Sequence, residues 1–272
     1  MVEGKYFVID AHCHIYPDKI APLAVKGTDT FYGLHSVLKG TATDLFCEGH
    51  RTGVDKFIVQ SLATTPHQVK SINEFIARSV DESNGRLIGL GTMHPESEDL
   101  ASDLDHLVEL GLHGVKMHAD IQGFCIDDER CKKIYKLCEK KGLPILMHAG
   151  DKRYDRSNPN RLYPVLKEFP DLTVVAAHLG GWSVWADAVE KLARLPNLYV
   201  DTCSSFCFLL KEEAKRIIYA YGTDRVLFGT DYPMWRADEE IEYLLSLGLK
   251  SSEYEDIFAK NALRAYKIIE EE

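Results

Sequence analysis

No apolar run in this chain approaches the roughly 20 residues that cross a bilayer, so no membrane partner is expected. An excess of positive charge is missing too: 32 basic against 42 acidic side chains leave a formal net charge of −10 at pH 7. Such a surface repels nucleic acid and anionic lipid, and neither is expected as a ligand. The seven cysteines form no C-x-x-C pair. An odd count without paired spacing speaks for free thiols in a reduced, cytoplasmic compartment. The opening Met1-Val2-Glu3-Gly4-Lys5 lacks the basic start and apolar core of a signal peptide. No low-complexity segment, linker or internal sequence repeat is evident.

What is present is ordinary globular usage, 45% hydrophobic and 27% charged over 272 residues, enough for one large core. The expectation is a single domain over residues 1–272. Short apolar runs at 6–14, 56–61, 87–93, 113–118, 144–148, 173–178, 198–201 and 225–231 read as strands buried on both faces. Helical periods lie between them, at about 41–52, 67–83, 100–110, 131–138, 162–169, 185–195 and 212–221, with a last helix at 252–270. Thr41 or Thr43 is placed to cap the first of these and Gly53 to end it. Eight strand–helix units predict an α/β fold, a (β/α)8 barrel with its site at the C-terminal strand ends. The long stretch 15–40, rich in aromatics, reads as an irregular cover over that site. The run Glu270-Glu271-Glu272 reads as solvated surface.

The C-terminal strand ends carry the chemistry. His12 and His14 are two apart, so on a strand they share a face and can hold one metal ion. Lys116 and His118 close the fourth strand, His148 the fifth, His178 the sixth and Asp231 the eighth. Imidazole and carboxylate donors gathered at one rim are what a catalytic zinc-type site uses. Cys13 points away from the two histidines and reads as core. Cys131 and Cys138 read as one buried helix stripe. Trp182 and Trp235 follow strands six and eight, where they either wall a pocket or simply pack.

The motifs Ile9-Asp10-Ala11-His12-Cys13-His14, Gly114-Val115-Lys116-Met117-His118, Ile145-Leu146-Met147-His148-Ala149-Gly150, Ala177-His178-Leu179-Gly180-Gly181 and Leu227-Phe228-Gly229-Thr230-Asp231-Tyr232-Pro233 together resemble the amidohydrolase superfamily. The branch they resemble is "amidohydrolase 2", which includes 2-amino-3-carboxymuconate-6-semialdehyde decarboxylase, other decarboxylases, a hydratase and lactonases. The resemblance runs the whole chain. It implies one divalent metal ion, zinc first and manganese as the alternative, held by His12, His14, His148 and Asp231. His178 is then the base or water-orienting residue, or else a ligand to a second ion. Asp231 doubles as a proton acceptor. Asp10 is expected as a hydrogen-bond partner behind the ligands. Lys116 is either a carboxylated bridge between two ions or a plain ammonium for a substrate carboxylate, and the single-metal case is favoured.

The substrate expectation is a small, carboxylate-bearing ester, lactone or amide, hydrolysed by metal-activated water. The alternative is non-oxidative decarboxylation of an unsaturated or aromatic acid. Lys116, His118, Arg153, Trp182 and Arg236 are the candidate substrate contacts. Lys152, Arg156 and Arg161 share the rim, and local pairing with Asp151, Asp155 and Asp238 competes with any such role. A homodimer is compatible with this reading.

Overall fold

The computed structural model describes residue 2 and residues 4–269. The acidic end run and the last residue expected in the final helix lie outside these. The strands are β1 (Ile9–His14), β2 (Lys56–Gln60), β3 (Leu87–Gly89), β4 (Gly91–Thr92), β5 (Val115–Met117), β6 (Ile145–Met147), β7 (Val174–Ala176), β8 (Leu198–Asp201) and β9 (Val226–Leu227). All pair in parallel, β1-β2-β3 and β4 through β9 in chain order. β3 and β4 are halves of one barrel strand broken at Leu90. The Leu90 N–H donates to the Val59 carbonyl at 2.9 Å, and the next N–H, of Gly91, donates the other way to Gly114 at 2.9 Å. The ring closes between first and last strands: Ala11 N–H donates to Phe228 O (2.8 Å), Asp231 N–H to His12 O (2.9 Å) and His14 N–H to Tyr232 O (2.7 Å). Eight strand positions thus form the expected (β/α)8 barrel.

The helices are α1 (Ala21–Tyr32), α2 (Ala42–Thr52), α3 (Val69–Asp81), α4 (Leu100–Glu109), α5 (Ala119–Gln122), α6 (Glu129–Lys141), α7 (Pro159–Glu168), α8 (Trp185–Leu192), α9 (Lys211–Tyr221), α10 (Ala237–Leu245), α11 (Ser251–Glu255) and α12 (Asn261–Ala265). Thr41 caps α2 by accepting the Asp44 N–H, a contact whose loss costs about 1 kcal/mol. Gly53 ends it at φ 80°, where a side chain would be strained. The final helix is interrupted by a π turn at Asp256–Lys260 and stops at Ala265, short of the expected end. Among the described residues no helix is long and apolar enough to cross a membrane.

Two expectations need correcting. The 15–40 stretch is not irregular throughout, because it contains the three turns of α1. Only Ala21 of that helix is buried, so its amphipathic signal is weak and the sequence pattern hid it. Two short helices, α5 and α10, escaped the reading. The first is only four residues long, and the second opens with three acids and follows a Pro-containing loop.

The core has two layers. Ile9, Ala11, Ile58, Leu90, Leu146, Val175, Ala177 and Leu227 fill the barrel interior, with Tyr266 packed among them. A larger cluster, including Val59, Val115, Met117, Ile145, Met147 and Val174, lies between strands and helices. Alternation along each strand sorts residues between the layers.

Candidate active site

Simple alternation would put Ile9, Ala11 and Cys13 on one face of β1, leaving His12 on the other. Instead the register against β2 shifts between Asp10 and Cys13. Ile9 and Ala11 belong to the interior cluster and Cys13 to the outer one. The irregularity reverses the phase, so His12 and His14 turn inward at the rim. Gly229 leaves them room: a Cβ there would meet the His12 Cβ at 3.0 Å.

On the opposite side of the seam, Asp231 sits at φ 64°. His178 sits at φ 61°, which overrides the alternation that would have buried it outward beyond Ala177. Both residues occupy the left-handed region, sparsely populated outside glycine and held only where surroundings enforce it.

These placements gather three donors. His12 Nε2 lies 3.2 Å from His14 Nε2, and Asp231 Oδ1 lies 3.5 Å and 3.4 Å from the two nitrogens. Ligands about 2.1 Å from one ion in a tetrahedral array sit roughly 3.4 Å apart, so the set fits a divalent metal. The His12 Nδ1 faces Asp201 Oδ2 at 2.8 Å, which puts its proton there and leaves Nε2 with a lone pair. Burial alone would raise the Asp231 carboxyl. The histidines around it, His12 foremost, outweigh burial and hold it well below the usual carboxylate range. Ser204 Oγ donates to its Oδ2 at 2.6 Å, and Trp235 Nε1 donates to Ser204 at 2.8 Å.

His148 is bonded to His178, while its own Nε2 lies 3.6 Å from Asp120 Oδ2. The Cys203 carbonyl, which can only accept, lies 3.1 Å from His178 Nδ1, so that nitrogen carries the proton. His178 Nε2 then accepts from His148 Nδ1 at 2.9 Å. The chain of bonds leaves His148 Nε2 with a lone pair, buried and without a hydrogen-bond partner. Burial lowers both imidazoles toward the neutral form this requires. His118, Asp120 and His148 also approach one another. Their imidazoles stack in parallel at 3.9 Å and 6°, so no ion can lie in the plane of both rings. The lone pairs are in-plane, and this trio makes a poor metal site.

Lys116 is 1% exposed, with Nζ 3.0 Å from His12 Nε2. Burial pulls its ammonium below the ordinary lysine range. His118 accepts the Ile121 N–H at Nδ1, and its Nε2 meets Tyr32 Oη at 2.7 Å. Asp10 takes the His12 and Thr230 N–H groups and the Thr230 hydroxyl, staying behind the donors. Burial pushes its carboxyl up to about 6.

Above the donors opens a pocket of roughly 710 Å³. His12, His14, Lys116, His118, His148, His178 and Asp231 form its polar floor, while its walls are mostly apolar. Trp182 borders a small side recess with Tyr32 and Ser204. The two candidate arginines lie elsewhere. Arg153 is paired with buried Asp151 at 2.7 Å and donates to the Phe31 carbonyl at 2.7 Å. Arg236 lies 3.5 Å from Asp238. Neither lines the pocket. Arg161 is paired with Asp127 and Asp155.

Asp201 and Ser204 escaped the sequence reading. Asp201 ends an apolar strand and could have been flagged by its position at the rim. Tyr32 lies in the aromatic stretch expected to cover the site and reaches it from α1.

The family model described as Amidohydrolase (Amidohydro_2) matches residues 9–268. A 2-amino-3-carboxymuconate-6-semialdehyde decarboxylase from Dictyostelium discoideum is 25% identical over 200 residues, 60% of this chain and 55% of its own length. The match thus spans little more than half of that relative. An uncharacterised TIM-barrel protein from Bordetella bronchiseptica superimposes with a TM-score of 0.78 at 22% identity, covering 96% of this chain and 98% of its own. A 5-carboxyvanillate decarboxylase from Novosphingobium aromaticivorans, complexed with manganese and 4-hydroxy-3-methoxy-5-nitrobenzoic acid, gives 0.74 at 16% identity over 97% and 96% of the two chains. The matched family model and the barrel's site at the strand ends lead to one conclusion: the chain belongs to the amidohydrolase family.

Proposed function

We propose that the protein is a metal-dependent, non-oxidative decarboxylase of an unsaturated or aromatic carboxylic acid. Hydrolysis of an ester, lactone or amide was the leading expectation from sequence. Its alternative is now favoured, because the relatives with named activities are mostly decarboxylases. The observation that carries the reading is the cluster of His12, His14 and Asp231, with buried Lys116 beside it, on the floor of an apolar-walled pocket. That combination suits a flat, apolar molecule whose carboxylate points down.

In such a reaction the bond from the carboxyl carbon to the unsaturated carbon breaks. Carbon dioxide leaves, the electron pair stays on that carbon, and a proton takes the vacated position. An ion held by His12, His14, His148 and Asp231 would supply Lewis-acid stabilisation of negative charge on the substrate. Lys116 adds a basic group to the same floor, and a substrate carboxylate beside it would favour its ammonium form. His178 presents Nε2 to His148 and is placed to hold or pass a proton. Asp201 orients His12 through Nδ1 and His178 through its backbone N–H. The donor set of imidazoles and one carboxylate suits zinc or manganese.

The test is a panel of aromatic acids, dienoic acids and lactones given to metal-loaded protein. Release of carbon dioxide from the acids is expected. Lactone opening with no carbon dioxide from any acid would overturn the reading.

A further inference from the structure

We infer that the substrate of this site carries an extended apolar arm, which lies in the cleft between α1 and α3. This rests on the decarboxylase reading for the reaction, though not for the binding. Pockets of roughly 300–1,000 Å³ hold drug-sized ligands. At about 710 Å³ this pocket has several times the space of one aromatic ring with its carboxyl group. A single-ring acid seated on the donors would leave most of it to water.

The surplus space has a direction and a chemistry. It runs from the floor outward between two walls, Leu23 and Ala24 of α1 on one side, Ile72 and Phe75 of α3 on the other, with Leu62 and Ile121 nearer the floor. It is continuous with the donor cluster, so a single molecule can occupy both. All six side chains are apolar, and Leu23 is 74% exposed and Ile72 and Phe75 only partly buried. A large apolar side chain left this open on a helix that buries one residue gains its stabilisation only when something apolar covers it. The cationic side chains lining the pocket are two, Lys116 at the floor and Arg78 at the mouth, so between them the cleft offers an arm no charge partner. An alkyl or aryl substituent is the chemistry that matches.

The experiment is calorimetric titration of the metal-loaded protein with unreactive nitrobenzoic acids bearing linear alkyl chains of increasing length. Each buried methylene contributes about 0.8 kcal/mol, so affinity should rise about three- to fourfold per carbon until the cleft is filled. Leu23→Asp, at an exposed position that the fold tolerates, should flatten this dependence while leaving the unsubstituted acid unchanged. Ile72→Asn should do the same, with retained thermal unfolding as its control. Affinity that is flat or falls with chain length in the unaltered protein would overturn the inference. Rising affinity without carbon dioxide from the matching reactive acids would sustain the arm and defeat decarboxylation alone.

Discussion

The His12 Nδ1 lies 2.8 Å from Asp201 Oδ2, and the other oxygen of the same carboxylate takes the His178 backbone N–H at 2.8 Å. One buried group therefore orients a metal-type donor and fixes the backbone of the proposed proton carrier. Asp201→Asn should weaken metal affinity about 10- to 100-fold, measured by chelator competition. An unchanged affinity would reduce Asp201 to a packing role.

His178→Asn should retain the metal and lower kcat by about 10²–10⁴-fold. Elemental analysis of the purified variant decides between roles. Loss of stoichiometric metal would make His178 a ligand.

The unaltered protein should purify with about one divalent ion per chain. His12→Ala and Asp231→Ala should each lose ion and turnover together, because each removes one of three donors 3.2–3.5 Å apart. Two ions per chain, with a mass increment on Lys116 marking carboxylation, would refute the single-metal site.

Arg153 lies within about 5.2–5.6 Å of the ring centres of Phe31, Tyr32, Tyr154 and Trp182 while bonded to Asp151 and the Phe31 carbonyl. It thereby ties the end of α1 to the loop after β6. Arg153→Ala should raise KM for acids and for their neutral esters alike, and speed deuterium exchange across residues 21–32. A rise confined to the acids would restore it as a carboxylate-binding residue.

Glu240 on α10 is 4% exposed, its Oε2 has no hydrogen-bond partner, and burial pushes its carboxyl well above the usual range. A raised carboxyl favours the protonated folded state, so stability falls as pH climbs above the unfolded value of about 4.3. Glu240→Gln should raise Tm by several degrees at pH 8 and hardly at all at pH 4.5. Equal shifts at both would mean that packing, not ionisation, is responsible.

The barrel was legible because its strands are short apolar runs with donors at one end, a pattern the period-two geometry makes visible. The pairing of His12 with His14 and the rim positions of His148 and Asp231 followed from it. What stayed hidden depends on departures from regularity. The register shift in β1 and the positive φ of His178 and Asp231 aim the key side chains, yet no residue type announces them. The rim arginines illustrate a second gap. Their sequence neighbours Asp151, Asp155 and Asp238 pair with Arg153, Arg161 and Arg236, so local geometry claims the charges first. Tyr32 reaches His118 across 86 positions, a contact no window of sequence contains.

The seam between first and last strands also sets a timetable. A chain emerging from the ribosome exposes the paired imidazoles of β1 at once, while Asp231 follows only when nearly the whole polypeptide has been made. The carboxylate arrives together with the backbone bonds that shut the ring, so the three donors can meet only in a chain whose barrel has closed.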